Sequence, residues 1–95
     1  MPKQQETGIR NVIKEWLQWH GWFTFYNLQS LGSLKGISDL TAIKDGRTLW
    51  LEIKKPGGRQ SEHQKKFESA IKAHGGEYVL ADSVEVVEKY LREGK

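Results

Sequence analysis

The stretch Gly36 to Lys55, GISDLTAIKDGRTLWLEIKK, leaves the chain little choice about its centre. Two alternating runs meet at Asp45-Gly46, a residue pair that favours a two-residue hairpin turn. With those two residues in the turn, Lys44 faces Arg47, and counting outward brings Asp39 opposite Glu52. In this register Leu40 and Ala42 share one face with Leu49, Leu51 and Ile53, a uniformly apolar surface that should pack against helices. The other face carries Asp39, Thr41, Ile43, Thr48, Trp50, Glu52 and Lys54. A slip of one residue would mix the two sets, so the clean separation supports the register. Carboxylates facing each other across a ladder repel. The Asp39/Glu52 pair therefore calls for a cation, and Lys54, two residues beyond Glu52, projects from the same face.

The flanking segments read as alternating helices and strands. From about Glu6 to His20, Ile9, Val12, Ile13, Trp16 and Leu17 recur at helical spacing and form one apolar stripe, with Thr7 a candidate cap and Gly21 the stop. Trp22 to Tyr26 is aromatic and β-prone, a first strand. Asn27 to Lys35 reads as a loop able to contact substrate. After Pro56-Gly57-Gly58, a helix begins at Ser61 and runs to about His74, with Phe67, Ala70 and Ile71 inward. Glu77 to Ala81 is a short strand, and Asp82 or Ser83 caps a last helix whose Val84, Val87 and Leu91 face inward. The order α-β-β-β-α-β-α, with a helical crossover from the third strand to the fourth, implies an α/β fold: a mixed four-stranded sheet flanked by helices.

With 95 residues and no linker-like segment, one domain spanning 1–95 is expected. A core this small gains from association, so a homo-oligomer is expected. The absence of cysteine excludes a disulfide scaffold and thiolate zinc sites and fits a reducing cytoplasm. No apolar run approaches the length of a membrane span, so no membrane partner is expected. The formal net charge of +3 is only a mild basic excess, but Lys54, Lys55, Arg59, Lys65, Lys66 and Lys72 follow the hairpin closely. That position suits contacts to phosphates, above all for Lys55, Arg59, Lys65 and Lys66.

Two acids and a lysine on one patch have the layout of a metal-dependent phosphodiesterase site. Mg²⁺ or Mn²⁺ prefers oxygen ligands. Asp39 and Glu52 would supply carboxylate oxygens and Ile53 a backbone carbonyl. Lys54 would orient the attacking water or stabilise charge on the phosphorane-like transition state. Gln64 has two readings: partner of Ser61 in a capping box, or support for the site. Glu6 is either a first-turn acid favoured by the helix dipole or part of the site. His20, His63 and His74 lack a metal-binding spacing and read as helix-end or surface residues, and Trp50 as packing under the first helix. There is no phosphate-binding Gly-rich loop, no Cys nucleophile and no context for a serine triad.

The series Gly36-Ile37-Ser38-Asp39, then Glu52-Ile53-Lys54, then Gln64 resembles the PD-(D/E)XK nuclease superfamily, and within it the VRR-NUC (virus-type replication-repair nuclease) family. Glu6, Asp39, Glu52, Lys54 and Gln64 stand in the order in which that family carries its helix Glu, Gly-x-x-Asp, Glu-x-Lys and helix Gln. Ser38 departs from the proline of the superfamily's name. The resemblance covers nearly the whole chain. It implies an αβββαβ nuclease core, Mg²⁺ or Mn²⁺ dependence and hydrolysis of DNA phosphodiester bonds in a bacterial or phage-infected cell. It also implies similarity to homodimeric Holliday-junction resolvases acting on branched DNA. Two other readings stay open: a non-catalytic nucleic-acid-binding module, and a nicking or restriction-like nuclease of ordinary duplex.

Overall fold

The computed structural model of the chain describes residues 6–93. Its elements are α1 (Glu6–Trp19), β1 (Phe23–Tyr26), β2 (Leu40–Lys44), β3 (Arg47–Ile53), α2 (Glu62–Ala73), β4 (Glu77–Ala81) and α3 (Val84–Arg92). The four strands form one sheet in the order β1-β2-β3-β4. The first three run antiparallel, and β4 joins β3 in parallel through the α2 crossover. This is the mixed α/β arrangement read from the sequence.

Asp45 and Gly46 have φ angles of 52° and 80°, the left-handed conformation that a type I′ hairpin requires at both central residues. The ladder runs from Lys44↔Arg47 to Leu40↔Leu51, so the inferred register holds. β2 begins at Leu40, which leaves Asp39 one residue outside the ladder, where the register continues opposite Glu52.

Leu40, Ala42, Leu49, Leu51 and Ile53 are buried on one face of the sheet. They form a single core with Ile9, Ile13 and Leu17 of α1 and Val87 of α3, and Trp16, Val84 and Leu91 pack at its margin. Each buried Leu, Ile or Val side chain of this set contributes about 1.5–3 kcal/mol. Val12 does not belong to this set. It is half exposed, because residues at strict i, i+4, i+8 spacing fill the seam and leave Val12 on the helix flank. α1 already includes Thr7, so Thr7 is not its cap; any cap lies outside the described residues. At the far end Gly21 adopts φ +88°, and the Trp22 N–H donates to the Leu17 carbonyl at 2.9 Å, turning the chain into β1.

The opposite face of the sheet is covered by α2. Trp50 packs there, edge-on to Phe67 with ring centroids 5.7 Å apart, and Phe67 also meets Tyr78 at 6.2 Å. Trp50 therefore lies under α2 and not under α1, because alternation puts it on the face away from the apolar core. On α2 only Phe67 is buried; Ile71 is partly covered and Ala70 is exposed. The helix rests on the sheet through one aromatic anchor. Ser83 caps α3, its hydroxyl accepting the Val86 N–H, while Asp82 is exposed. Among the described residues no helix is long and apolar enough to cross a membrane.

Candidate active site

Glu52 is the one acidic side chain among the buried residues of the sheet, with only 2% of its surface exposed. Its Oε2 accepts a hydrogen bond from the Gln64 amide at 2.9 Å and lies 3.6 Å from the Lys54 ammonium. Its Oε1 is buried without a partner. Burial, and then the negative charge of Asp39, push its pKa up to about 8; Lys54 acts in the opposite direction, and Glu6 adds a smaller upward push. A buried carboxylate with one unsatisfied oxygen beside a second acid is costly to ionise without a cation.

Asp39 is held by the main chain and by its neighbours. Its Oδ2 accepts the Ile53 N–H at 2.8 Å, and its Oδ1 accepts the Gln29 side-chain amide at 3.0 Å. Arg10 of α1 approaches Oδ1 at 3.7 Å. The main chain around Asp39 is fixed by Asn27, whose N–H donates to the Asp39 carbonyl and whose side-chain amide donates to the Ser38 carbonyl. Asn27 in turn accepts from the Thr41 hydroxyl. Gly36 makes the closest approach. Its φ is +80°, and a Cβ there would fall 2.1 Å from the His63 carbonyl oxygen. The backbone of the segment leading to Asp39 thus lies directly against the first turn of α2, where no side chain fits.

Gln64 resolves its two readings by doing both. Its Oε1 accepts the Ser61 N–H at 2.8 Å and the Ser61 hydroxyl accepts the Gln64 N–H, completing the capping box, while its Nε2 donates to Glu52.

No protein-family model matches the sequence, and no curated protein matches it. Solved structures do match. A structure described as a VRR-NUC domain superposes with a TM-score of 0.82 at 19% identity, covering 99% of this chain and 100% of the other. A second, described as a VRR-NUC domain protein, gives 0.79 at 18% identity over 98% of this chain and 89% of the other. The chain has the VRR-NUC fold. At these identities the likeness is one of architecture, and the chemistry has to be argued from this chain's own side chains.

On its VRR-NUC frame the sequence-derived set converges in part. Asp39, Glu52, Lys54 and Gln64 come together, and Ile53 reaches Asp39 through its N–H. Glu6, in the first turn of α1, is near enough to influence Glu52 electrostatically. Lys55 and Arg59 are exposed between β3 and α2, and Lys65 and Lys66 are exposed on α2, with Lys65 3.7 Å from Glu62. The histidines stay out of the site: the rings of His20 and His74 bond the carbonyls of Trp16 and Ala70 at their helix ends, and His63 is exposed.

Among the described residues no group of three or more His, Asp or Glu side chains is placed to hold a metal ion. A divalent cation would therefore draw on two carboxylates, main-chain oxygen and water, a donor set that suits Mg²⁺ better than a soft metal. The unpartnered Oε1 of Glu52 fits that role. Arg10 and Gln29, both on Asp39, escaped the sequence reading. Gln29 lies in a loop without periodicity. Arg10 stands four residues after Glu6, one helical turn along the same face, and that spacing was the available signal.

Proposed function

We propose that the chain is a Mg²⁺- or Mn²⁺-dependent, structure-selective DNA endonuclease acting on branched DNA such as a Holliday junction, as a homodimer that presents two sites. The observation that carries this reading is the buried Glu52 with an unsatisfied Oε1, set beside Asp39 and Lys54. The VRR-NUC fold is consistent with it.

Asp39 and Glu52 would hold the metal, together with the Ile53 carbonyl. When bound, the metal supplies Lewis acidity at the phosphoryl oxygen and lowers the pKa of a coordinated water. Gln64 and Lys54 both engage Oε2 of Glu52, which leaves Oε1 as the oxygen available to a cation. Burial and Asp39 push the Glu52 pKa up to about 8, so to hold a cation at neutral pH Glu52 would have to shed a proton. The Ile53 N–H fixes Asp39 so that its carboxylate needs no reorientation. Lys54, partly buried, orients the attacking water or offsets negative charge as it builds on the phosphoryl group. Glu6 adds an outer contact on the α1 side. Lys55, Arg59, Lys65 and Lys66 bind the DNA backbone.

The test is incubation with labelled four-way junction, flap and linear duplex, with and without Mg²⁺ or Mn²⁺. Metal-dependent cutting of the junction, abolished by Asp39→Ala or Lys54→Ala with the circular dichroism spectrum unchanged, is the expected result. Equal cutting of linear duplex points to a nicking or restriction-like enzyme. Salt-sensitive binding without turnover points to a binding module. Undiminished cutting by either variant removes the mechanism.

A further inference from the structure

Arg10 is not explained by its role in the fold. On one side its guanidinium lies over the Tyr26 ring, 5.3 Å from the centroid, and Tyr26 is itself held by a hydrogen bond from its hydroxyl to the Asn11 side chain. On another side its Nη1 is 3.7 Å from Asp39 Oδ1, too far for a good hydrogen bond. Asp39 meanwhile has closer partners on both oxygens, the Gln29 amide and the Ile53 N–H. The Nε of Arg10 is buried and makes no hydrogen bond. A guanidinium carries five N–H donors in a planar fork, and leaving a buried one unused is costly. Arg10 is thus oriented by Tyr26 and stands beside a carboxylate it does not grip, with its buried Nε donor unpartnered. One turn further along α1, Lys14 lies over the same ring at 5.0 Å, so the positive charge continues away from Asp39 along α1.

We propose that Arg10 is a substrate-binding residue, a phosphate clamp on the α1 side of the site. In the metal-free protein it is the counter-charge of Asp39. Once a divalent cation takes over that charge, the guanidinium turns its fork to a phosphate of the DNA strand. A phosphate suits it because two of its oxygens match two parallel N–H donors, which a lysine cannot offer. The exposed Lys55 and Arg59 follow β3, so the strand would be held from a different element of the fold as well. This inference rests on the nuclease reading.

The clamp carries two consequences of opposite sign, and a single-role residue would show only one. Arg10→Gln keeps the stem but removes the charge. The variant should bind Mn²⁺ more tightly, on the order of fivefold by calorimetry without DNA, because a cation no longer competes at Asp39. The same variant should bind a fluorescein-labelled four-way junction about fivefold more weakly in Ca²⁺, with the slope of log affinity against log salt reduced by about 0.9. Arg10→Lys should restore wild-type Mn²⁺ affinity while recovering only part of the DNA affinity. Tighter Mn²⁺ with unchanged DNA binding would make Arg10 a structural counter-ion only, and weaker DNA binding with unchanged Mn²⁺ would make it a surface cation only; either result overturns the clamp. Wild-type protein that binds no Mn²⁺ at all would remove the nuclease reading and the clamp with it. Wild-type protein that binds normally, beside an unaltered Arg10→Gln, would remove the clamp alone.

Discussion

The two faces of the β2–β3 hairpin share a backbone and differ in almost everything else. Leu40, Ala42, Leu49, Leu51 and Ile53 meet two helices, and every one of them is satisfied by packing. One residue away along the same strands, Thr41, Trp50, Glu52 and Lys54 meet one helix that touches down through Phe67. The first face uses burial to stabilise the fold. The second buries a carboxylate that destabilises it, which is tolerable only because the first is so complete. A sheet with period-two alternation allows this separation of tasks, since stabilising and strained residues can be neighbours in sequence without being neighbours in space.

The contrast can be broken most sharply on the packed face. Leu51→Ala should lower the unfolding free energy by about 2–5 kcal/mol in urea denaturation, through a cavity beneath α1 and α3. A loss below 1 kcal/mol would mean that the face is less tightly filled than described. Close behind comes Gly36→Ala, where a Cβ would strike the His63 carbonyl and φ is positive. A stability loss of about 1–3 kcal/mol is expected, along with weakened function, since the segment sets both Asp39 and the start of α2. Retention of the wild-type melting temperature would contradict that backbone contact.

On the strained face the sign reverses. The folded-state pKa of Glu52, about 8, is raised above its ordinary value of 4.5. Its carboxylate is protonated in the native state and ionised in the unfolded chain between those values, so the metal-free protein should be most stable below pH 4.5 as far as this group is concerned. That contribution is lost as pH rises toward 8 and stays lost above it. Glu52→Gln should flatten this dependence and raise the melting temperature of the metal-free protein at pH 8. A pH profile identical to wild type would show that Glu52 is not the strained group. The smallest effect concerns Gln64→Glu, which keeps an oxygen for the Ser61 N–H but loses the donor to Glu52 and adds a like charge. Helix capping should survive, with a stability change within about 1 kcal/mol, while Mn²⁺ affinity or cleavage changes. Equal losses from Gln64→Glu and Gln64→Ala in stability would mean that the capping oxygen contributes nothing and would contradict the dual role.

Much of this was legible in the chain because local rules carried it. Asp45-Gly46 can form little except the turn it forms, and the turn then dictates which residues face each other from Lys44 to Asp39. Ser61-x-x-Gln64 fixed the start of α2 in the same way. What local rules leave open is which helix covers which face. Alternation puts Trp50 on the correct side of the sheet but says nothing about where a crossover lands, so it packs under α2 and not under α1 as expected. Val12 obeyed helical spacing but sat off the seam. Gln29 reached Asp39 through an irregular loop whose path no periodicity reports. From sequence alone the facing acids are a problem of mutual repulsion. In the fold burial of Glu52 is the larger cause and Asp39 the second, a distinction that needs the third dimension.

The side chain of Gln64 joins two equilibria. Its oxygen closes the first turn of α2 and its nitrogen rests on Glu52. Whenever that turn frays, Glu52 loses its donor; whenever the charge on Glu52 changes, the amide that closes the turn feels it. The exchange of the Gln64 and Lys65 amide protons with solvent should then report on events at the acid, so that a routine measurement of helix-end breathing would serve as a gauge of occupancy at the sheet.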